Sequence, residues 1–202
     1  MDASPERVKG TLLLSRLKFL RGRGAGELEA VLGSMLEADQ RQLRGMLLPS
    51  SWYPLDLLRR LEAAIVPALK YASRTELFLE MGRATASANL TGNGSQLAYI
   101  RPGDPQFLLQ HSPHIYASAH NLGSRSCECT GEHSATLRTI RPAEEVHADD
   151  CVTTVGWLER AIELAGGRHV KVVEVQCRAS GAPFYEYRCE WQPDLAAGAG
   201  TA

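Results

Sequence analysis

The sequence predicts an α+β domain in which N-terminal helices pack on a small antiparallel sheet. Three observations carry that prediction. Apolar residues recur at helical spacing up to about Asn121. Alternating, β-branched segments begin only after it. Near the C-terminus two strand-like runs, HVKVVEVQCRA and PFYEYRCEW, flank the turn residues SGAP as a hairpin would.

Leu28, Val31, Leu32, Met35 and Leu36 form one apolar stripe, so a helix is expected from Glu27 to near Gly45. SSWYP then reads as a loop and N-cap. Leu58, Leu61, Ile65 and Leu69 mark a second helix, with Pro67 as a kink or an early end. A third begins near Thr75, and its small residues Gly82, Ala84, Ala86 and Ala88 would let another backbone come close. LTGNGSQ is turn chemistry, and RPGDP opens a fourth helix carrying Phe107, Leu108, His111 and Ile115. Ser126–Ile140 predicts one or two strands about Thr130-Gly131. Val155, Leu158, Ile162 and Ala165 share one face of a last helix, which Gly166-Gly167 ends. One domain is expected over residues 8–192, with 193–202 as a flexible tail ending in AAGAGTA.

The 202 residues suffice for one substantial core. With 22 Lys and Arg against 23 Asp and Glu, the formal charge is −1, which leaves no global field to attract nucleic acid or anionic membrane. The arginines of RLKFLRGR read as a solvated face. No apolar run is long enough to span a bilayer, and the N-terminus is polar, so the expectation is a cytoplasmic protein whose five cysteines are thiols, metal ligands or core residues.

Zinc takes about four ligands from thiolate, imidazole and carboxylate. Cys151, at the start of a helix, and Glu174 and Cys177, on the strand after it, could supply three, with Cys189 or water as the fourth. An odd spacing puts Glu174 and Cys177 on opposite faces of a regular strand, so they meet only if the strand bulges or ends between them. The plain alternative is two core thiols and an exposed carboxylate.

DCVTTVGWLERAIELAGGRHVKVVEVQC resembles the C-terminal half of vinyl reductase domains, the small-molecule-sensing module of bacterial activators that respond to phenol and xylene. In that family a Cys-x4-Gly-aromatic element opens a helix and a strand with Glu-x2-Cys follows, as at Cys151, Gly156, Trp157, Glu174 and Cys177. The resemblance implies a structural zinc on the two cysteines, the glutamate and a further cysteine. That last position falls at about Tyr185, which is not a usual zinc ligand, so the site is either rebuilt with Cys189 or lost. RVKGTLLLSRLKFL, SSWYPLDLLRRLEAAI, MGRATASANL and YRCEW are similar to a family of comparable length, expanded in myxobacteria and without an assigned function. The vinyl reductase domains share their superfamily fold with heme-nitric-oxide-binding sensors and TRAPP-complex core subunits, so a fold of the NO-signalling and Golgi-transport type is implied.

VKGTLLL is similar to the opening of heme-nitric-oxide-binding domains, which would make His111 or His114 an iron ligand. Those domains hold heme propionates with Tyr-x-Ser-x-Arg, and only YASR at Tyr71–Arg74 comes near it, so heme is disfavoured and a structural zinc is the cofactor expected. Cys127 and Cys129, with His133 near them, are read as core-facing rather than as a second metal site or redox pair. No G-x-S-x-G, H-E-x-x-H, phosphate loop or dinucleotide fingerprint is present, so neither an enzyme nor a nucleotide site is expected.

These readings converge on a non-catalytic sensory or regulatory module for a small hydrophobic or aromatic molecule. Phe107, His111, Tyr116 and Trp157 are its candidate pocket residues. Its signal would leave by a homodimer or a signalling-protein contact. The alternative is an interaction scaffold with a filled core, as in the TRAPP relatives.

Overall fold

Leu13, Leu17 and Leu20 lie on one side of α1 (Gly10–Arg23) and are fully or almost fully buried, which roots the N-terminal half of the fold. The computed structural model describes residues 5–141 and 147–193, so the tail expected at 193–202 lies, from 194 on, outside the described residues. Before α1, β1 (Arg7–Lys9) pairs antiparallel with β2 (Trp52–Pro54), so SSWYP is partly strand.

The helix expected from Glu27 to Gly45 is two, α2 (Ala25–Gly33) and α3 (Glu37–Arg44). Leu36 is extended, at φ −60° and ψ 143°, and is 70% exposed, so the apparent stripe ran through a connection. The next helix, α4 (Leu55–Ala68), buries Leu58, Leu61 and Ile65 and ends one residue after Pro67, which cannot continue the hydrogen-bond ladder. Ser73 caps α5 (Arg74–Leu90) by accepting from the Glu76 amide at 3.1 Å. Asp104 does the same for α6 (Pro105–Gln110), accepting from the Phe107 amide at 2.9 Å.

The fourth expected helix breaks at His111, and α7 (Ser112–Ala119) follows. Pro113 has no amide hydrogen to continue the ladder, and its ring collides with the carbonyl four residues back. The sheet begins with a hairpin of β3 (Ser124–Gly131) and β4 (Ser134–Ile140), which turns at residues 132–133. After it come α8 (Ala148–Leu164), β5 (Gly167–Gln176) and β6 (Tyr185–Pro193). All pairings are antiparallel, in the order β3-β4-β6-β5.

On β6 every second residue, Tyr185, Tyr187, Cys189 and Trp191, is buried and faces α8, as a half-covered antiparallel sheet requires. One core cluster gathers the buried side chains of α1, α2, α4 and α5, and another those of α8 and the sheet. The α5–α8 crossing joins them. Among the described residues no helix is long and apolar enough to cross a membrane.

Candidate functional site: a cavity between the helices and the sheet

Between the two clusters lies a cavity lined from both sides. Helical spacing supplies each wall: Leu12 and Arg16 from α1, Leu55, Leu58 and Glu62 from α4, Thr85 and Asn89 from α5, and Asp150, Thr153, Thr154 and Trp157 from α8. Ile115, Tyr116 and Ala119 project from α7, with His120 just after it, and Tyr185 and Tyr187 come from alternate positions of β6. Of the candidate pocket residues, Tyr116 and Trp157 line this cavity. Phe107 and His111 lie apart from it, their rings 4.1 Å apart, and the Phe107 carbonyl occupies His111 Nδ1 at 2.7 Å. His114 is exposed and does not line it either.

Most polar groups in the cavity are paired. Arg16, only 4% exposed, donates from Nε to Glu62 Oε1 at 2.8 Å and from Nη1 to Thr85 Oγ1 at 2.5 Å. Burial raises the Glu62 pKa, and the Arg16 charge works against that shift. Glu62→Gln keeps the shape but leaves Arg16 as a buried cation. It is expected to lower stability by about 1–3 kcal/mol in urea denaturation; unchanged stability would show that the pair contributes nothing. Arg141 donates from Nη1 to Asp150 Oδ2 at 2.7 Å and from Nε to Glu6 Oε1 at 3.0 Å, tying the end of β4 to α8 and to the chain before β1.

Among the described residues lining the cavity, two buried polar atoms have no hydrogen-bond partner, His120 Nδ1 and Gln96 Oε1. The His120 ring stacks on Tyr116 at 4.6 Å. Burial, then the charges of Arg141 and Arg125, lower its pKa to about 3, so at neutral pH it is an uncharged imidazole with a free nitrogen edge.

The proposed metal ligands fall elsewhere. Cys151, Glu174 and Cys177 do converge, with candidate ligand atoms within 4.8 Å of one another and the two sulfurs 3.0 Å apart. β5 ends at Gln176, and a register shift between Glu174 and Gln176 cancels the odd spacing. Burial is the main cause that pushes the Cys151 thiol up, and Glu174 and Cys177 add to it. Cys189 is outside this group: it is fully buried in the sheet core near Cys127, where burial pushes its thiol up to about 12. Tyr185 is buried as well, its hydroxyl pushed up to about 12 by burial.

The fold is that of H-NOX domains. An oxygen-binding H-NOX domain related to soluble guanylate cyclases, solved as its oxygen complex, superposes with a TM-score of 0.68 at 16% identity, covering 93% of this chain and 97% of that one. An H-NOX protein from S. oneidensis in the Fe(II)NO state gives 0.67 at 13% identity, with coverage of 91% and 99%. A structure from work on heme redox potential and porphyrin distortion gives 0.65 at 16%, with 90% and 99%.

These neighbours overturn the cofactor expectation. The expectation of a structural zinc with heme disfavoured rests on cysteine spacing and on the lack of an intact Tyr-x-Ser-x-Arg motif, yet 90–93% of the chain superposes on H-NOX structures, one of them from work on heme redox potential. Thr139, near the end of β4, and Arg141, just after it, also line the cavity, and neither was among the candidate pocket residues. The other missed residues are Arg16, counted among solvated arginines, and His120, which carries no local signal. No curated protein matches the chain. Residues 26–192 match the family described as "Protein of unknown function (DUF2378)", and the chain belongs to it.

Proposed function

We propose that the protein is a non-catalytic sensory module whose ligand occupies the cavity between the N-terminal helices and the sheet, and that heme is this ligand. One observation carries the reading: His120, a half-buried, neutral imidazole that lines an aromatic-rich cavity, has a buried Nδ1 with no hydrogen-bond partner. Unpaired buried nitrogen costs stability in the free protein, and a ligand that engages it removes that cost. The H-NOX neighbours support heme as that ligand. An imidazole is a common axial donor to heme iron, and a heme held there would supply a site for a diatomic gas.

The lining holds groups that would suit heme: His120 would supply an imidazole donor, and Tyr116, Trp157 and Tyr187 an aromatic surround. The cavity measures about 140 Å³ in this form, near the size that takes one aromatic ring, so a tetrapyrrole requires the two halves to part around it. That requirement is what a sensor needs, because ligand and conformation are then linked. The scaffold alternative calls for a filled interior, and the cavity weighs against it.

Native mass spectrometry of protein purified from heme-supplemented cells tests the reading. One heme per chain is expected, lost on His120→Ala. Protein that stays heme-free, and takes none up on incubation with hemin, would overturn it.

A further inference from the structure

Three arginines line the cavity, and among the described residues only two meet a carboxylate. Arg16 is held by Glu62, and Arg141 by Glu6 and Asp150. The third, Arg125, reaches in from β3, directly opposite Thr139 in the β3–β4 register. Its Nε donates to Thr139 Oγ1 at 2.9 Å, and its guanidinium carbon lies 5.1 Å from the centre of the Tyr116 ring. No carboxylate among the described residues comes within ion-pair distance of its terminal nitrogens.

We propose that Arg125 is the anion-binding residue of the cavity, and that the ligand therefore carries a carboxylate or comparable acidic group on an apolar body. The inference rests on the ligand-binding reading above and adds to it the chemical class of the ligand and the residue that selects it. Arg141 is the other arginine that lines the sheet side of the cavity. Its donors are already committed to two carboxylates, so recruiting it means breaking ion pairs that tie β4 to α8 and to the N-terminal segment. Arg125 has no such cost. Its guanidinium is planar, with two Nη groups left over after the Thr139 bond, which suits a carboxylate bidentately. Burial lowers its pKa, as expected of a cation that has lost water without gaining a counter-ion, and the nearby Arg141 charge lowers it further. An incoming anion would restore that balance. The rest of the lining, Tyr116, Tyr187, Ile115 and Trp157, suits an apolar body.

The test pairs each acid with its ester: hemin against hemin dimethyl ester, and phenylacetate against methyl phenylacetate, bound to wild type, Arg125→Leu and Arg141→Leu. The macrocycle and the single ring separate the two sources of a carboxylate. For at least one pair, wild type should prefer the acid by roughly ten- to a hundredfold, and Arg125→Leu should abolish the preference while still binding the ester. Equal binding of acid and ester by wild type, or a preference that survives in Arg125→Leu, overturns the inference and leaves the ligand-binding reading standing.

Wild type that binds none of the four compounds counts against that reading instead, and a ligand-free measurement then decides on Arg125. Removing a cation that has no carboxylate partner should leave the melting temperature within about 2 °C or raise it, whereas Arg141→Leu strands two carboxylates and should lower it by about 5 °C or more. Arg125→Leu falling as far as Arg141→Leu would show that Arg125 is structurally paired and would overturn the proposal.

Discussion

Gly156→Leu is expected to abolish folding, and Gly156→Ala to cost at least about 3 kcal/mol. A Cβ built on Gly156 of α8 would lie 2.2 Å from the Leu79 carbonyl oxygen of α5. One built on Gly82 of α5 would lie 2.2 Å from the Thr153 carbonyl oxygen and 2.8 Å from the Trp157 nitrogen of α8. The two helices thus touch backbone to backbone, and no side-chain rotation relieves the collision. Parting them opens the junction between the helical and sheet clusters and moves Asp150, Thr153 and Trp157 away from the cavity. Unlike a ligand entering the cavity, the added side chain fills none of the space that this parting opens, so the packing lost is not regained. Circular dichroism and thermal melting of the two variants check it; a Gly156→Leu protein that melts with wild type would show that α5 and α8 do not cross this closely.

Acid should destabilise the protein through His120. The pKa of this residue is about 3 when folded and about 6.5 when unfolded. As pH falls through 6.5 the unfolded chain takes up a proton that the folded one refuses, so stability is present above that value and is lost progressively toward pH 3. Between pH 7.5 and 5 the loss from this group amounts to about 2 kcal/mol, and nearer pH 3 to on the order of 4 kcal/mol. His120→Phe carries no titratable group there. The difference in unfolding free energy between wild type and variant should therefore shrink or reverse by about 2 kcal/mol on going from pH 7.5 to pH 5. A difference independent of pH would mean that His120 is solvated in the folded state.

Much of the fold was legible because its signals are local. Leu58, Leu61 and Ile65 mark α4, Gly166-Gly167 ends α8, and the small residues of α5 announce a close helix crossing realised at Gly82. What was not legible depends on partners distant in sequence. The three-residue β1–β2 pairing has no local pattern. Arg16 looked like one more exposed arginine because its partner Glu62 lies on another helix. His120 sits in the first residue after α7, where sequence gives no direction for a side chain, whereas His111 drew attention by lying on an expected helix that Pro113 interrupts. Cysteine spacing drew zinc forward as the cofactor expectation, although the Cys151, Glu174 and Cys177 side chains do converge, because thiols at those intervals are conspicuous. A cavity closed by residues from α1, α4, α5, α7, α8 and the sheet has no signature in any one segment.

Whether the cavity receives its ligand at His120 is tested most directly by an absorption titration of the heme-free protein with hemin, run beside His120→Ala. A saturable one-to-one spectral change is expected in wild type, with a Soret position or affinity that shifts markedly in the variant. Spectra that are non-saturable, or the same in both proteins, would contradict it.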